Sequence, residues 1–179
     1  MACSDITQGI GKQCTNTLGG VQKIYIFNHL EDPFTISEDG SEATAMNILL
    51  TQSFEFEIFG PGNILNQDIP DNDNFTKVNT QTITLLLPRM SASKHATINL
   101  LIESRPMAVV KDRNGEYHAV GIGINLNEGI KFGSVLTTGG AQGDFNGYTL
   151  TGTSIVKDLA PILDSATVTA FLATVQANV

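Results

Sequence analysis

Three observations predict a mainly β fold, a sandwich or barrel with one flanking helix and an extended N-terminal arm. The first is a hairpin signal. The runs Met107-Ala-Val-Val and Tyr117 to Ile124 flank Asp112-Arg-Asn-Gly115. Asn-Gly between apolar runs suits a type I′ turn, which needs positive φ at both central residues. Paired antiparallel strands are therefore expected over Met107–Asp112 and Glu116–Ile124. The second is a series of short β-branched and aromatic runs separated by Gly, Pro and Asp. The third is composition: 16% of residues are charged, against a usual level of roughly 25%. Thr, Asn, Gly and Ser fill the gap, as in a polar but uncharged β surface or in an assembling subunit.

The elements follow in order. Residues 1–20 carry four glycines and no period of 2 or 3.6, so they read as an irregular arm. Its Ile6, Ile10 and Leu18 point to ordering by contact. Val21–Asn28 suits a core strand. His29–Gly40 reads as loop, broken at Asp32-Pro33. An apolar run at Met46, Ile48, Leu49 and Leu50 precedes Gln52–Phe59. There Phe54, Phe56 and Ile58 alternate with Glu55 and Glu57, the mark of a half-buried strand. Ile64–Asn79 reads as an acidic loop, and Gln81–Leu87 as a strand closed by Pro88. Ser91 or Ser93 can cap a helix of about three turns with a stripe at His95, Ile98, Leu101 and Ile102, stopped at Arg105-Pro106. Asn125–Gly133 reads as a turn region, Val135–Thr138 as a short strand, Gly139–Gly143 as a loop and Asn146–Val156 as a strand. Asp164 or Ser165 can cap a terminal helix over Ala166–Val175. Six or seven strands result. The chain divides into an arm (1–20), one β-rich domain (21–160) and a C-terminal segment (161–179).

Charge and cysteine content narrow the function. The net charge is −8 and the pI about 4.7. This argues against a duplex-gripping protein, whose affinity rests on Lys and Arg. An acidic wall instead repels phosphate and lets DNA pass without sticking. Cys3 and Cys14 are too few to fill a zinc site. They read as free thiols in a reducing compartment, with a local disulfide as the alternative. Met1–Ser4 lacks a basic region followed by an apolar run, and no apolar run reaches about 18 residues. Cytoplasmic synthesis without a membrane span is the expectation.

No constellation carries catalysis. Glu55 and Glu57 share one strand face and could form an acid–base pair, but such a face is more often solvated or part of an interface. His29, His95 and His118 are scattered without metal-ligand spacing. Asp68, Asp71 and Asp73 offer oxygen to calcium, yet the loop lacks the glycine and closing Glu of an EF-hand. No Gly-x-Ser-x-Gly elbow occurs. Gly121-Ile-Gly123 lies inside a predicted strand, and Gly139–Gly143 precedes no helix. Both read as turns or places of close backbone approach rather than phosphate cradles. Asn74-Phe-Thr76 is a glycosylation triplet that matters only on a secretory route. No cofactor or metal is expected.

The order helix, strand, Asn-Gly turn, strand, loop, strand is carried by ESRPMAVVKDRNGEYHAVGIG (103–123) and TTGGAQGDFNGYTLTGTS (137–154). These stretches resemble small virion proteins of tailed bacteriophages, the tail-tube and connector-ring type, especially in phages of Bacteroidetes hosts. The resemblance covers about residues 80–156, under half of the chain. It implies a tail-tube-like β-sandwich or barrel without enzymatic residues, whose subunits join sheet edges into a ring around a central channel. The implied partners are the chain itself, neighbouring virion proteins and DNA in passage. The implied location is the virion, assembled in the host cytoplasm. The acidic loop at Gly62–Asn79 and the segment after Leu159 depart from the pattern and leave the virion position open. Ile6, Ile10, Phe34, Phe75 and Phe145 are the candidate contact residues, since loop aromatics often anchor interfaces; local core packing is the competing role. Two other readings stand beside this one, a capsid decoration protein and a small-ligand or carbohydrate binding module.

Overall fold

Two runs without polar interruption, Ile24–Phe27 and Met107–Val110, lie side by side at the centre of the molecule. A computed structural model describes residues 18–56, 58, 60–70, 77–123 and 128–176. The described strands are β1 (Val21–Phe27), β2 (Phe34–Ile36), β3 (Glu42–Met46), β4 (Ser53–Phe56), β5 (Ile64–Asp68), β6 (Asn79–Pro88), β7 (Met107–Asp112), β8 (Tyr117–Val120), β9 (Lys131–Thr137), β10 (Gly147–Val156), β11 (Ile162–Leu163) and β12 (Val175–Gln176). The helices are α1 (Ala92–Glu103) and α2 (Ser165–Leu172). One sheet has the order β12-β4-β1-β7-β8-β11-β3-β2 and the other β5-β6-β10-β9. Both are open, so the mainly β expectation holds, with α1 as the flanking helix.

Successive residues of a strand point to opposite faces, and β1 and β7 are buried on both. Ile24, Ile26, Ala108 and Val110 enter one core with Ile83, Leu85 and Leu150 of the smaller sheet and Ile98 and Leu101 of α1. Tyr25, Phe27, Met107 and Val109 enter a second core with Phe171 of α2 and Phe34 of β2. Five strand spacings separate β1 from β2 in the sheet order, about 24 Å if flat. The Phe27 and Phe34 rings are nonetheless 6.2 Å apart. The large sheet therefore curls, and α2 fills the curl, with Phe171 touching Tyr25, Phe27 and Phe34.

Local chemistry accounts for the ends of these elements. Ser91 caps α1 by accepting from the Lys94 N–H at 3.2 Å. Asp164 caps α2 through the Thr167 N–H at 2.6 Å. In the β7–β8 hairpin, Gly115 has φ +98° while Asn114 stays at negative φ. The turn is therefore a three-residue loop with one left-handed glycine, and not type I′. Its cause is Asp112, whose Oδ1 accepts from the N–H groups of Asn114 and Glu116, both at 2.8 Å. β8 ends at Val120 rather than Ile124 because Gly121 turns at φ +82°.

Other differences are larger. Phe34–Ile36, Ile64–Asp68 and Lys131–Gly133 lie in strands although their sequences read as loop or turn. Long-range pairing holds them: β5 runs along β6, and Lys131 faces Thr153 of β10. Twelve described strands replace the six or seven expected. The C-terminal segment is built into the large sheet, with Ile162 paired to Glu42 and Val175 to Ser53.

Phe171 has no solvent exposure and holds the curl closed. Phe171→Ala is expected to destabilise the chain by about 3–5 kcal/mol. Urea unfolding followed by circular dichroism measures this, and a loss below about 1 kcal/mol would remove α2 from the core argument.

Candidate functional site

The residues with chemical potential are placed apart. Glu55 on β4 forms an ion pair with Lys23 of β1, Nζ to Oε1 at 2.7 Å. That hydrogen bond holds the Lys23 ammonium above its ordinary pKa. Glu57 lies outside the described residues, so no carboxylate pair is on view. His29 is exposed after β1. The His95 Nδ1 on α1 is 3.1 Å from the Tyr148 hydroxyl, and the two rings meet edge to face. His118 on β8 has its Nε2 3.8 Å from Asp112 Oδ2, too long for a hydrogen bond. Burial raises the Asp112 carboxyl pKa, but hydrogen bonds from Asn114 and Glu116 outweigh it, so the group sits below its ordinary value. Among the described residues no three His, Cys, Asp or Glu side chains converge on a metal position.

The glycine motifs are places of close approach. A Cβ at Gly129 would sit 2.4 Å from the Arg105 carbonyl oxygen, and Gly121, which packs on Gly129, donates its N–H to Gln81 at 2.9 Å. In the Gly139–Gly143 loop the Asp144 carboxylate accepts from Gly140 and Ala141. These bonds lower its pKa and close the loop on itself.

Of the contact candidates, Phe34 is only 4% exposed and belongs to the second core. In this chain it therefore packs internally, the competing role raised for it. Phe145 remains 37% exposed in the loop before β10. Ile6, Ile10 and Phe75 lie outside the described residues, as do Cys3, Cys14, Asp71 and Asp73. Asp68 ends β5.

What stands out instead is unpartnered surface. Among the described residues, nothing pairs with the open side of either outer strand of the four-stranded sheet. One is β9, where every residue from Gly133 to Thr137 is exposed, Val135 by 66%. The other is β5, with Ile64 44% exposed. A groove of about 1210 Å³ opens between β4 and α1, lined by Phe54, Phe56, Ile58, Leu100, Leu101 and Arg89 among others. Phe54, expected to face inward, is 44% exposed there, because neither the smaller sheet nor α1 closes over β4. A third feature is the turn at Ile48 and Leu49, 87% and 67% exposed. The Asn47 Oδ1 accepts from the Leu49 N–H, and its Nδ2 donates to the Asp32 carbonyl. The sequence signal for this turn was Asn47, an Asx-turn former, inside what reads as an apolar run. The edges carry no local signal, because they depend on which strands find partners.

Comparison with models of known families, with curated proteins and with solved structures finds no match for this chain.

Acid titration should expose the turn carboxylates. Hydrogen bonds from Ser37 and Ser41 lower Asp39 from 3.8 to about 2. A depressed carboxylate pKa contributes stability above the unfolded value, and that contribution is lost as pH falls through the folded value. The thermal midpoint is expected to drop between about pH 4 and about pH 2, and less steeply in Asp39→Asn. Equal slopes in the two proteins would show that this turn contributes nothing.

Proposed function

We propose that the chain is a non-enzymatic structural subunit of a tailed-phage virion. It self-associates into a ring or tube (tail tube, neck or connector) around the passage taken by the genome. The observation that carries this reading is β9. It is a seven-residue edge strand, exposed along most of its length, with Lys131 as its one charged residue. Long uncharged edges invite pairing with another chain and are normally blunted by charge, proline or a cover. A subunit that assembles through its edges has use for one.

The sheet direction supports the same reading. All neighbours in β5-β6-β10-β9 are antiparallel, so β5 and β9 run in opposite senses. The β9 edge of one copy against the β5 edge of the next continues the antiparallel pattern. Such a contact is heterologous, and repeated rotation closes it into a ring. A net charge of −8 suits a passage that phosphate slides through. A capsid decoration protein would share the exposed apolar surface, but it has less need for two complementary edges. A ligand-binding module would rest on the groove beside α1. Its ammonium groups are already engaged, Lys94 with the Pro88 and Arg89 carbonyls and Lys23 with Glu55. That leaves few of the convergent polar groups that fix a small ligand.

Light scattering over a concentration series tests the proposal. Native protein is expected to form multimers, and Val135→Lys to shift them towards monomer with an unchanged circular dichroism spectrum. A native protein that stays monomeric at the highest concentration counts against the ring. Multimers that survive Val135→Lys move the joint away from β9.

A further inference from the structure

The groove between β4 and α1 is apolar, open and unfilled by the described chain. Its two walls present Phe54, 44% exposed, and Leu100, 66% exposed. At about 1210 Å³ it is larger than the roughly 300–1,000 Å³ of a small-molecule cleft. Residues of β1 and its end, from Gln22 to Asn28, are among those that line it.

The chain itself holds a candidate occupant. Seventeen residues precede Leu18, and they include Ile6 and Ile10. The exit of this segment is fixed. The Leu18 N–H donates to Asn114 Oδ1 at 2.9 Å, and the Leu18 carbonyl accepts from Asn114 Nδ2 at 3.1 Å. The Gly20 carbonyl accepts from the Arg113 N–H at 3.2 Å. Leu18, where the arm joins the described chain, therefore sits at the tip of the β7–β8 hairpin. In the sheet order β4-β1-β7-β8 this lies on the far side of β1 from β4, whose aromatic residues line the groove. The described chain thus begins across β1 from the groove.

We infer that the N-terminal arm, residues 1–17, docks in the groove between β4 and α1 of a neighbouring copy. The inference rests on the ring or tube reading and names the contact that locks its copies together. Ile6 and Ile10 supply the apolar contacts against Phe54 and Leu100. The arm's charged side chains, Asp5 and Lys12, offset one another, so apolar contact carries the docking. Each copy gives one arm and receives one, so the contact propagates head to tail.

Cysteine cross-linking of the full chain tests this, because Cys3 and Cys14 in the arm are its two cysteines. Leu100→Cys places a third thiol on an exposed groove wall. Mild oxidation is expected to give a ladder of disulfide-linked multimers on a non-reducing gel. The ladder should be lost when Cys3→Ser and Cys14→Ser are added, and Glu38→Cys, away from the groove, should give none. As a second readout, Leu100→Glu should raise the concentration at which native multimers dissociate at least tenfold, with unchanged circular dichroism. Multimers by light scattering with no link to position 100 would overturn the arm contact and leave the ring standing. A purely intramolecular link would overturn the exchange between copies. A strictly monomeric native protein would overturn both.

Discussion

Burial of β1 and β7 on both faces is the constraint on which the rest of the molecule depends. Ile24, Ile26, Ala108 and Val110 point one way, and Tyr25, Phe27, Met107 and Val109 the other, and none is more than 3% exposed. A strand pair that is apolar on both sides needs a cover on each, since leaving one face wet forfeits about 25 cal/mol per Å² of apolar surface. The smaller sheet and α1 supply one cover. The curl of the large sheet and α2 supply the other. The second solution explains an otherwise odd feature, a sheet whose β2 end returns to pack an aromatic ring against β1.

The covers differ in extent. On the side of α2 the aromatic residues interlock, and Tyr25, Phe27, Phe34 and Phe171 leave little exposed surface. On the opposite side the smaller sheet and α1 stop short of β4, and the groove is the gap that remains. Among the described residues, the same smaller sheet ends in two unpaired edges. Incomplete covering and open edges thus have one origin, a four-stranded layer laid over a wider, curled one. A monomer meant to stay monomeric would blunt such features with charge. Here the exposed stretch from Gly133 to Gly143 carries no charged residue.

Several polar side chains serve the same layout. Polar groups that could have converged are engaged in local structure. Asp39, Asp112, Asp144 and Asp164 each hold a turn or a cap through short hydrogen bonds. Gln67 and Asn79 join the smaller sheet to the segment at Asp158–Ala160, Gln67 through the Ala160 N–H and Asn79 through the Asp158 carbonyl. These contacts stabilise backbone that would otherwise leave donors unpaired.

By itself the sequence determined much of what depends on neighbours along the chain. Runs rich in β-branched, aromatic and other apolar residues marked β1, β6 and β7, and alternation marked β10. Ser91 or Ser93 and Asp164 or Ser165 marked the helix starts, Arg105-Pro106 the end of α1, and Asn-Gly the hairpin. Even there it named the wrong turn, because a carboxylate at Asp112 can select a three-residue loop where dipeptide preference alone favours two. Only the tertiary structure decided what depends on distant partners. Ile64–Asp68 and Phe34–Ile36 are strands because β6 and β3 lie beside them. Phe34 is internal because the sheet curls. Phe54 is exposed because no layer reaches it. Pattern reports which face of a strand is apolar; whether anything covers that face is settled by the packing of segments far apart in the chain.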